Sequence, residues 1–239
     1  MAPKIPLYTP IHKGQRKWLA DMIVNAGRAD YAVQAETDEL VIELRAFTEH
    51  LAEHASLEER FVHPLLERVA PGRSRSIEAE HVAQHKDLAD LNHCLELIVS
   101  LPSDYETLPQ IAHEYYLALS RFVSTYLRHI DFEEDHAQQI LLNACTGDEL
   151  FATFRSILAA QSPSELKTNL KLMVAGSSLP EVIGIFAGAQ SFMPAPQFEQ
   201  MTEYAATFVE PERWSAVEAR LRSDRIEKRL EGALDAGLD

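Results

Sequence analysis

Pairs of metal-binding residue types recur at four-residue spacing inside long apolar stripes of this chain. Residues four apart lie on the same face of an α-helix, one turn from each other. A polar group buried without a partner costs on the order of 2–7 kcal/mol, so the fold must bring these groups together. The set consists of His12, the pair His54 and Glu58, the pair His81 and His85, and the pair His129 and Glu133.

Apolar residues repeat every three or four positions through four long segments of the first part of the chain. No segment shows the strict alternation that a half-buried strand requires. The spacing is typical of a four-helix bundle with antiparallel neighbours. We therefore predict an all-α, up-down-up-down bundle over residues 10–145. Its helices are expected at about 11–28, 37–68, 75–101 and 105–143.

The remaining residues, 146–239, contain no histidine but three capping boxes in succession. Thr146 precedes Glu149, Ser162 precedes Glu165, and Ser178 precedes Glu181 by three positions each, a pattern that marks helix starts. We expect an all-helical extension that packs on the bundle or on a partner, including a second copy of the chain. Its helices are predicted near 147–160, 163–175, 179–191, 197–208 and 212–236.

The ligand candidates are expected to meet at one end of the bundle. Those on the first and third helices lie near helix starts, and those on the second and fourth lie about ten residues before helix ends. Alternating helix directions bring these positions to one level. The alternatives to a metal site are a layer of hydrogen-bonded His–Glu pairs and histidines that point out to solvent. The full set favours a metal site. Imidazole together with bridging carboxylate favours two irons over structural zinc. Structural zinc often takes thiolate ligands, and neither Cys94 nor Cys145 is suitably placed to supply one.

One way to distribute the candidate ligands gives one iron with three histidines and a second iron with two. Glu58 and Glu133 then bridge the irons, and a solvent-derived oxygen completes the bridge. The two-histidine iron keeps an open position for a small molecule. Glu59 and Glu134 remain alternatives to their neighbouring glutamates. The three-histidine iron takes His81, His85 and His129, and the two-histidine iron takes His12 and His54.

Three further histidines are not expected to bind metal. His50 precedes His54 by one turn beside the apolar seam, which indicates a surface position or one that supports the ligands. His63 and His136 lie toward the bundle end and are expected to be solvated.

The ordered set resembles the hemerythrin-like (HHE cation-binding) family over roughly residues 10–140. The resemblance rests on His12, His54-x3-Glu58-Glu59, His81-x3-His85 and His129-x3-Glu133-Glu134. It implies a non-haem diiron centre in a four-helix bundle, with family roles in oxygen carriage, sensing, nitric oxide response, iron handling and peroxide breakdown. Oxygen-carrying members end on His-x4-Asp, whereas this chain has His-x3-Glu, which resembles the regulatory and iron-handling branches.

Bulk properties narrow the class of function. A formal net charge of −15 argues against nucleic acid and membrane surfaces as partners. Two cysteines without a C-x-x-C motif favour a cytoplasmic protein.

We expect a protein that binds, senses or reduces dioxygen, nitric oxide or peroxide, and the sequence does not decide whether it is an enzyme. The alternatives are an iron-responsive interaction or iron-handling module and a diiron oxygenase acting on an organic substrate.

Overall fold

The computed structural model describes the backbone of residues 4–235 and the side chains of residues 4–223. The described residues form helices joined by short connections. Those of the first part are α1 (Thr9–Arg28), α2 (Gln34–Leu57), α3 (His63–Val69), α4 (Ser74–Ser100), α5 (Leu108–Phe132), α6 (Gln138–Ala144) and α7 (Gly147–Ala160). The later ones are α8 (Pro163–Gly176), α9 (Leu179–Phe192), α10 (Ala195–Ala206) and α11 (Pro211–Asp235). The all-α prediction is confirmed, while the predicted end of the last helix at residue 236 lies outside the described residues.

Four long helical columns form the bundle. The first column is α1, the second runs from α2 into α3, the third is α4, and the fourth runs from α5 into α6. The helix α1 packs on α2, α2 on α4, α4 on α5, and α5 back on α1, so the columns close into a ring. Leu19, Leu44, Phe47, Leu88 and Leu119 are at most 1% exposed in its centre. Burial of these apolar stripes stabilises the bundle at about 25 cal/mol per Å² of apolar surface removed from water.

Two single π-helical turns interrupt the second and fourth columns. The first, Glu58–Val62, joins α2 to α3, and the second, Glu133–Ala137, joins α5 to α6. Each π turn therefore begins at a glutamate predicted to bridge metal ions. Such turns insert one residue into the α-helical ladder and are frequent at functional sites. The apolar periodicity predicts continuous helices here, and the structure differs by these two π turns.

The turn between α3 and α4 follows from a glycine. Gly72 has φ of +84°, a left-handed conformation that residues with a Cβ rarely adopt. Glu67 accepts hydrogen bonds from the backbone N–H of Gly72 and of Ser74, at 2.6 and 2.8 Å. These bonds hold the turn that brings α4 back along the bundle.

The chain divides into two compact units after Gln161. The first contains the bundle and also α7, whose Leu150 is fully buried with Leu66 and Leu141. The boundary thus lies one helix later than the predicted boundary at residue 145. The second unit, beginning at Ser162, has its own core, which includes Phe186 and Val217. The capping boxes of Thr146, Ser162 and Ser178 are all formed, as predicted.

Among the described residues, no helix combines the length and the apolar character that crossing a membrane requires.

Candidate metal centre

Six of the seven predicted ligands meet in one layer of the bundle. His12 comes from the first turn of α1, and the other five come from the second, third and fourth columns. Their ligand atoms form two groups, each with all atoms within 4.8 Å of one another, and Glu133 belongs to both groups. The first group is His12, His54, Glu58 and Glu133, and the second is His81, His129 and Glu133.

Glu58 turns one carboxylate oxygen to each side of this layer. Its Oε1 lies 3.0 Å from Nε2 of His54 and 3.8 Å from Nε2 of His12. Its Oε2 lies 3.4 Å from Nε2 of His81. The carboxylate thus lies between His12 and His54 of the first group and His81 of the second group.

Glu133 repeats this arrangement from the opposite column. Its Oε2 lies 3.4 Å from Nε2 of His12. Its Oε1 lies 3.3 Å from Nε2 of His129 and 3.7 Å from Nε2 of His81. Each of the two carboxylates therefore has one oxygen on the side of His12 and His54 and the other on the side of His81 and His129.

Most inward-facing atoms of this layer lack hydrogen-bond partners, although Nε2 of His12 lies 3.3 Å from Nε2 of His54. Within the described side chains, both oxygens of Glu58 and Glu133 and the Nε2 atoms of His81 and His129 are buried without one. Buried polar atoms are normally paired, and buried charges are paired or coordinate metals. Because these orphaned atoms all converge and are nitrogen and carboxylate donors, the residues fit metal ions as the missing partners.

The outer nitrogens of three histidines contact carboxylates. An Nδ1–H that donates to a carboxylate leaves the lone pair of Nε2 directed inward and fixes the ring orientation, as is common around metal ligands. The pairs are His12 with Glu134 at 3.2 Å, His81 with Glu59 at 3.1 Å, and His129 with Glu80 at 2.7 Å.

Glu134 is tied to α1 by several contacts. It accepts hydrogen bonds from the hydroxyl of Thr9 at 2.9 Å and from Arg16 at 2.6 Å, besides contacting His12. Burial opposes its ionisation, but the contacts with His12 and Arg16 outweigh burial and lower its pKa to about 2. Glu134 is thus a permanent carboxylate that positions His12, whereas Glu133 faces the other ligands.

The pKa values reflect the close packing of imidazoles and carboxylates. Burial opposes protonation of His12, but Glu134 and Glu58 raise its pKa to about 9. Burial is likewise outweighed at His81, where Glu133 and Glu58 raise the pKa to about 10. Despite burial, the neighbouring His54 and His12 hold the pKa of Glu58 well below its usual value. In the metal-free protein, these shifts favour protonated His12 and His81 beside the carboxylates.

His85 does not join the layer. Its side chain is exposed, and the inward place on α4 goes to the buried Gln84. The inward prediction for His85 is therefore wrong. The buried face of α4 follows Ile77, Gln84, Leu91 and Ile98 at steps of seven, with His81, Leu88 and Leu95 between them, and this register turns residue 85 to solvent.

Two further histidines lie behind the ligands. His50 is buried, and its Nε2 lies 3.1 Å from the side-chain nitrogen of Gln15, which agrees with a supporting position. Burial and then His54 lower the pKa of His50 to about 3, so it is neutral. His63 is also buried and stacks on His81 with ring centroids 5.8 Å apart, so the prediction that it is solvated is wrong. His136 is exposed, as expected.

Several residues that contact the ligand histidines are not indicated, or are only weakly indicated, by the sequence pattern. Glu59 and Glu134 follow the ligand glutamates directly, and the doubled acid predicts alternative metal ligands but not partners for the outer histidine nitrogens. Glu80 reaches His129 from a neighbouring column, a contact that no spacing within one helix reveals. Tyr8 precedes the first predicted helix and showed no periodic signal, yet its ring lies 5.5 Å from that of His12.

The comparison with known families agrees with this site. The hemerythrin HHE cation-binding domain matches residues 8–141, which contain every ligand candidate. No curated protein and no solved structure matches the chain. The family match covers more than half of the 239 residues and confirms the resemblance predicted from the ordered His and Glu pairs. The chain therefore belongs to the hemerythrin HHE cation-binding domain family.

Proposed function

We propose that this chain is a non-haem diiron protein that binds, senses or reduces a small oxidant such as dioxygen, nitric oxide or peroxide. One observation carries the proposal: Glu58 and Glu133 each offer one oxygen to the His12–His54 pair and one to the side of His81 and His129. Two shared carboxylates between two histidine pairs suit two metal ions side by side.

The donor set supports iron over structural zinc. All six donors are imidazole nitrogens or carboxylate oxygens, whereas structural zinc sites are closed with four ligands and often contain thiolate. Cys145 packs in the apolar cluster with Leu141 and Leu150, and Cys94 packs against the bundle core. Neither thiol belongs to the ligand groups.

The chain's own residues orient the donors and exclude water. Glu134, Glu59 and Glu80 keep the three contacted imidazoles in fixed orientations from outside. His12 and Glu133 are 0% exposed, so the centre is shielded from bulk solvent. When bound, a diiron centre supplies redox chemistry and an open coordination position for a small molecule.

The second unit favours one further candidate, an iron-responsive interaction module. Residues from Ser162 onward form a compact unit with its own core. A unit with an independent core suits a role in partner binding, while metal binding stabilises the bundle. An oligomer formed through this unit, and a cytoplasmic location, remain predictions.

An oxygenase role has less support. A cleft of about 780 Å³ lies between the end of α1 and the start of α5, lined by Arg28, Tyr31, Tyr105 and Tyr116 among others. The ligand layer lies at the other end of both helices. This cleft therefore offers no room for an organic substrate beside the metal ligands.

The test is reconstitution of the full chain with ferrous iron without oxygen, followed by oxidation. We expect about two irons per chain and a near-ultraviolet oxo-bridge band. Colourless protein that retains only zinc after iron-rich expression would contradict the proposal. Stopped-flow mixing of the diferrous protein with oxygen then separates the roles, because a stable adduct indicates carriage or sensing and rapid oxidation indicates reduction of the oxidant.

A further inference from the structure

Tyr8 belongs to a small apolar cluster that borders the ligand layer. It packs there with Val62, Leu66, Ile77 and Leu141. The side-chain oxygen of Gln138 accepts a hydrogen bond from the backbone N–H of Tyr8 at 3.2 Å. Tyr8 is 1% exposed, so packing holds its ring, while the bond to Gln138 holds its backbone.

The hydroxyl of Tyr8 has no hydrogen-bond partner among the described residues, although it is buried. Tyr126 is an internal comparison, because it is equally buried and also lies beside the layer. Its hydroxyl donates to the side-chain oxygen of Gln15 at 3.1 Å. Buried hydroxyls in folded proteins are normally paired, so the orphaned donor on Tyr8 calls for a partner that the protein itself does not supply.

The position of this hydroxyl indicates what that partner is. The ring centroid of Tyr8 lies 5.5 Å from that of His12, which belongs to the first ligand group. The O–H of Tyr8 is thus a buried donor without an acceptor in the described part of the chain, next to a ring of the first ligand group. Such a donor suits an acceptor that arrives at the metal centre.

We propose that the Tyr8 hydroxyl donates a hydrogen bond to a small anionic ligand held at the metal centre, and so selects ligands that carry negative charge. This inference rests on the proposed function, since it requires a metal-bound ligand. It assigns Tyr8 a ligand-binding role that does not follow from the spacing of the His and Glu residues. The apolar surroundings strengthen such a bond, because no water competes for the donor.

The experiment measures azide binding to the iron-loaded, oxidised full-length chain. Azide is a small anion whose charge-transfer band with ferric iron reports its dissociation constant directly. The variants are Tyr8→Phe and Tyr126→Phe, which each remove one buried hydroxyl and keep the ring. We expect Tyr8→Phe to weaken azide binding about tenfold or more, as loss of a hydrogen bond to a charged group does. Tyr126→Phe is expected to change it less than twofold.

The iron content of each variant completes the test. Tyr8→Phe with wild-type iron content and weakened azide binding supports the inference. Azide binding of wild-type strength in Tyr8→Phe overturns it, and so does loss of iron from this variant, which would make Tyr8 part of the metal-holding set instead. Iron-loaded wild-type protein that binds no azide also overturns it. Wild-type protein that takes up no iron overturns the proposed function itself, so the two failures are distinguishable.

Discussion

Oε1 of Glu134 lies 3.2 Å from Nδ1 of His12, the ring nitrogen that faces away from the other ligands. The adjacent Glu133 contacts Nε2 of the same histidine at 3.4 Å. Two consecutive glutamates thus hold one imidazole from its two sides. The outer one orients the ring, and the inner one shares the metal-facing side, so the sequence ambiguity between them becomes a division of roles.

The first prediction concerns these two glutamates. Glu133→Gln removes a bridging carboxylate and should abolish most metal binding. Glu134→Gln should keep the metal stoichiometry and weaken affinity about 10- to 100-fold, as loss of a carboxylate behind a ligating histidine does. Metal content after dialysis and a competition titration against a chelator measure the two effects. Equal metal content in the two variants at limiting metal would contradict the assignment.

A second prediction separates His81 from His85. His81→Ala removes a buried imidazole that faces both shared carboxylates, and most of the metal should be lost. His85→Ala changes an exposed side chain and should leave both metal content and visible spectrum unchanged. The measurement is iron per chain together with the absorption spectrum.

His85→Ala is also the control for the size of the ligand set. Loss of metal from this variant would show that α4 turns in the metal-bound protein to bring a third histidine inward. The six-residue set would then have to be replaced by the seven-residue set of the family pattern.

The sequence predicted the common level of the ligands, but it did not predict the π turns or the orientation of His85. Helix bounds and the common level of the ligands followed from apolar spacing, because alternating helices fix which ends meet. The π turns at Glu58 and Glu133 did not, since Glu-Glu-Arg and Glu-Glu-Asp have ordinary helical propensity and the extra residue depends on packing between columns. His85 was misplaced because positions 84 and 85 both lie about one turn from His81, and only the seven-residue register distinguishes them.

A third prediction tests where the bundle unit ends. A fragment ending at Gln161 retains α7 and should fold and bind metal like the full chain. A fragment ending at Cys145 leaves the place of Leu150 empty, next to Leu66 and Leu141. It should lose stability by about 1.5–3 kcal/mol or more, the value of one buried leucine. Urea unfolding followed by circular dichroism compares the two fragments.

Leu150→Ala in the longer fragment is the matched variant. It should destabilise that fragment by about 2–5 kcal/mol, because the buried leucine leaves a cavity. A loss below 0.5 kcal/mol would show that α7 contributes nothing to the bundle unit.

The last prediction follows from the raised pKa values of His12 and His81. Both histidines bind their protons more tightly in the folded metal-free protein, with pKa values of about 9 and about 10, than an ordinary imidazole with a value of 6.5. Their protonation therefore stabilises the metal-free fold fully below pH 6.5, and this contribution is lost as the pH rises through about 9 to 10. The urea midpoint of metal-free protein should fall between pH 7 and pH 10.

Metal-loaded protein supplies the comparison for this pH dependence. Bound metal requires deprotonated imidazoles, so the loaded protein has no histidine protons to lose in this range. Its urea midpoint should fall less than that of the metal-free protein, and the stabilisation by metal should grow with pH because fewer protons compete for the same nitrogens. Parallel pH profiles for the two forms would mean that His12 and His81 are not protonated in the metal-free layer, and that the carboxylates are neutralised by another group.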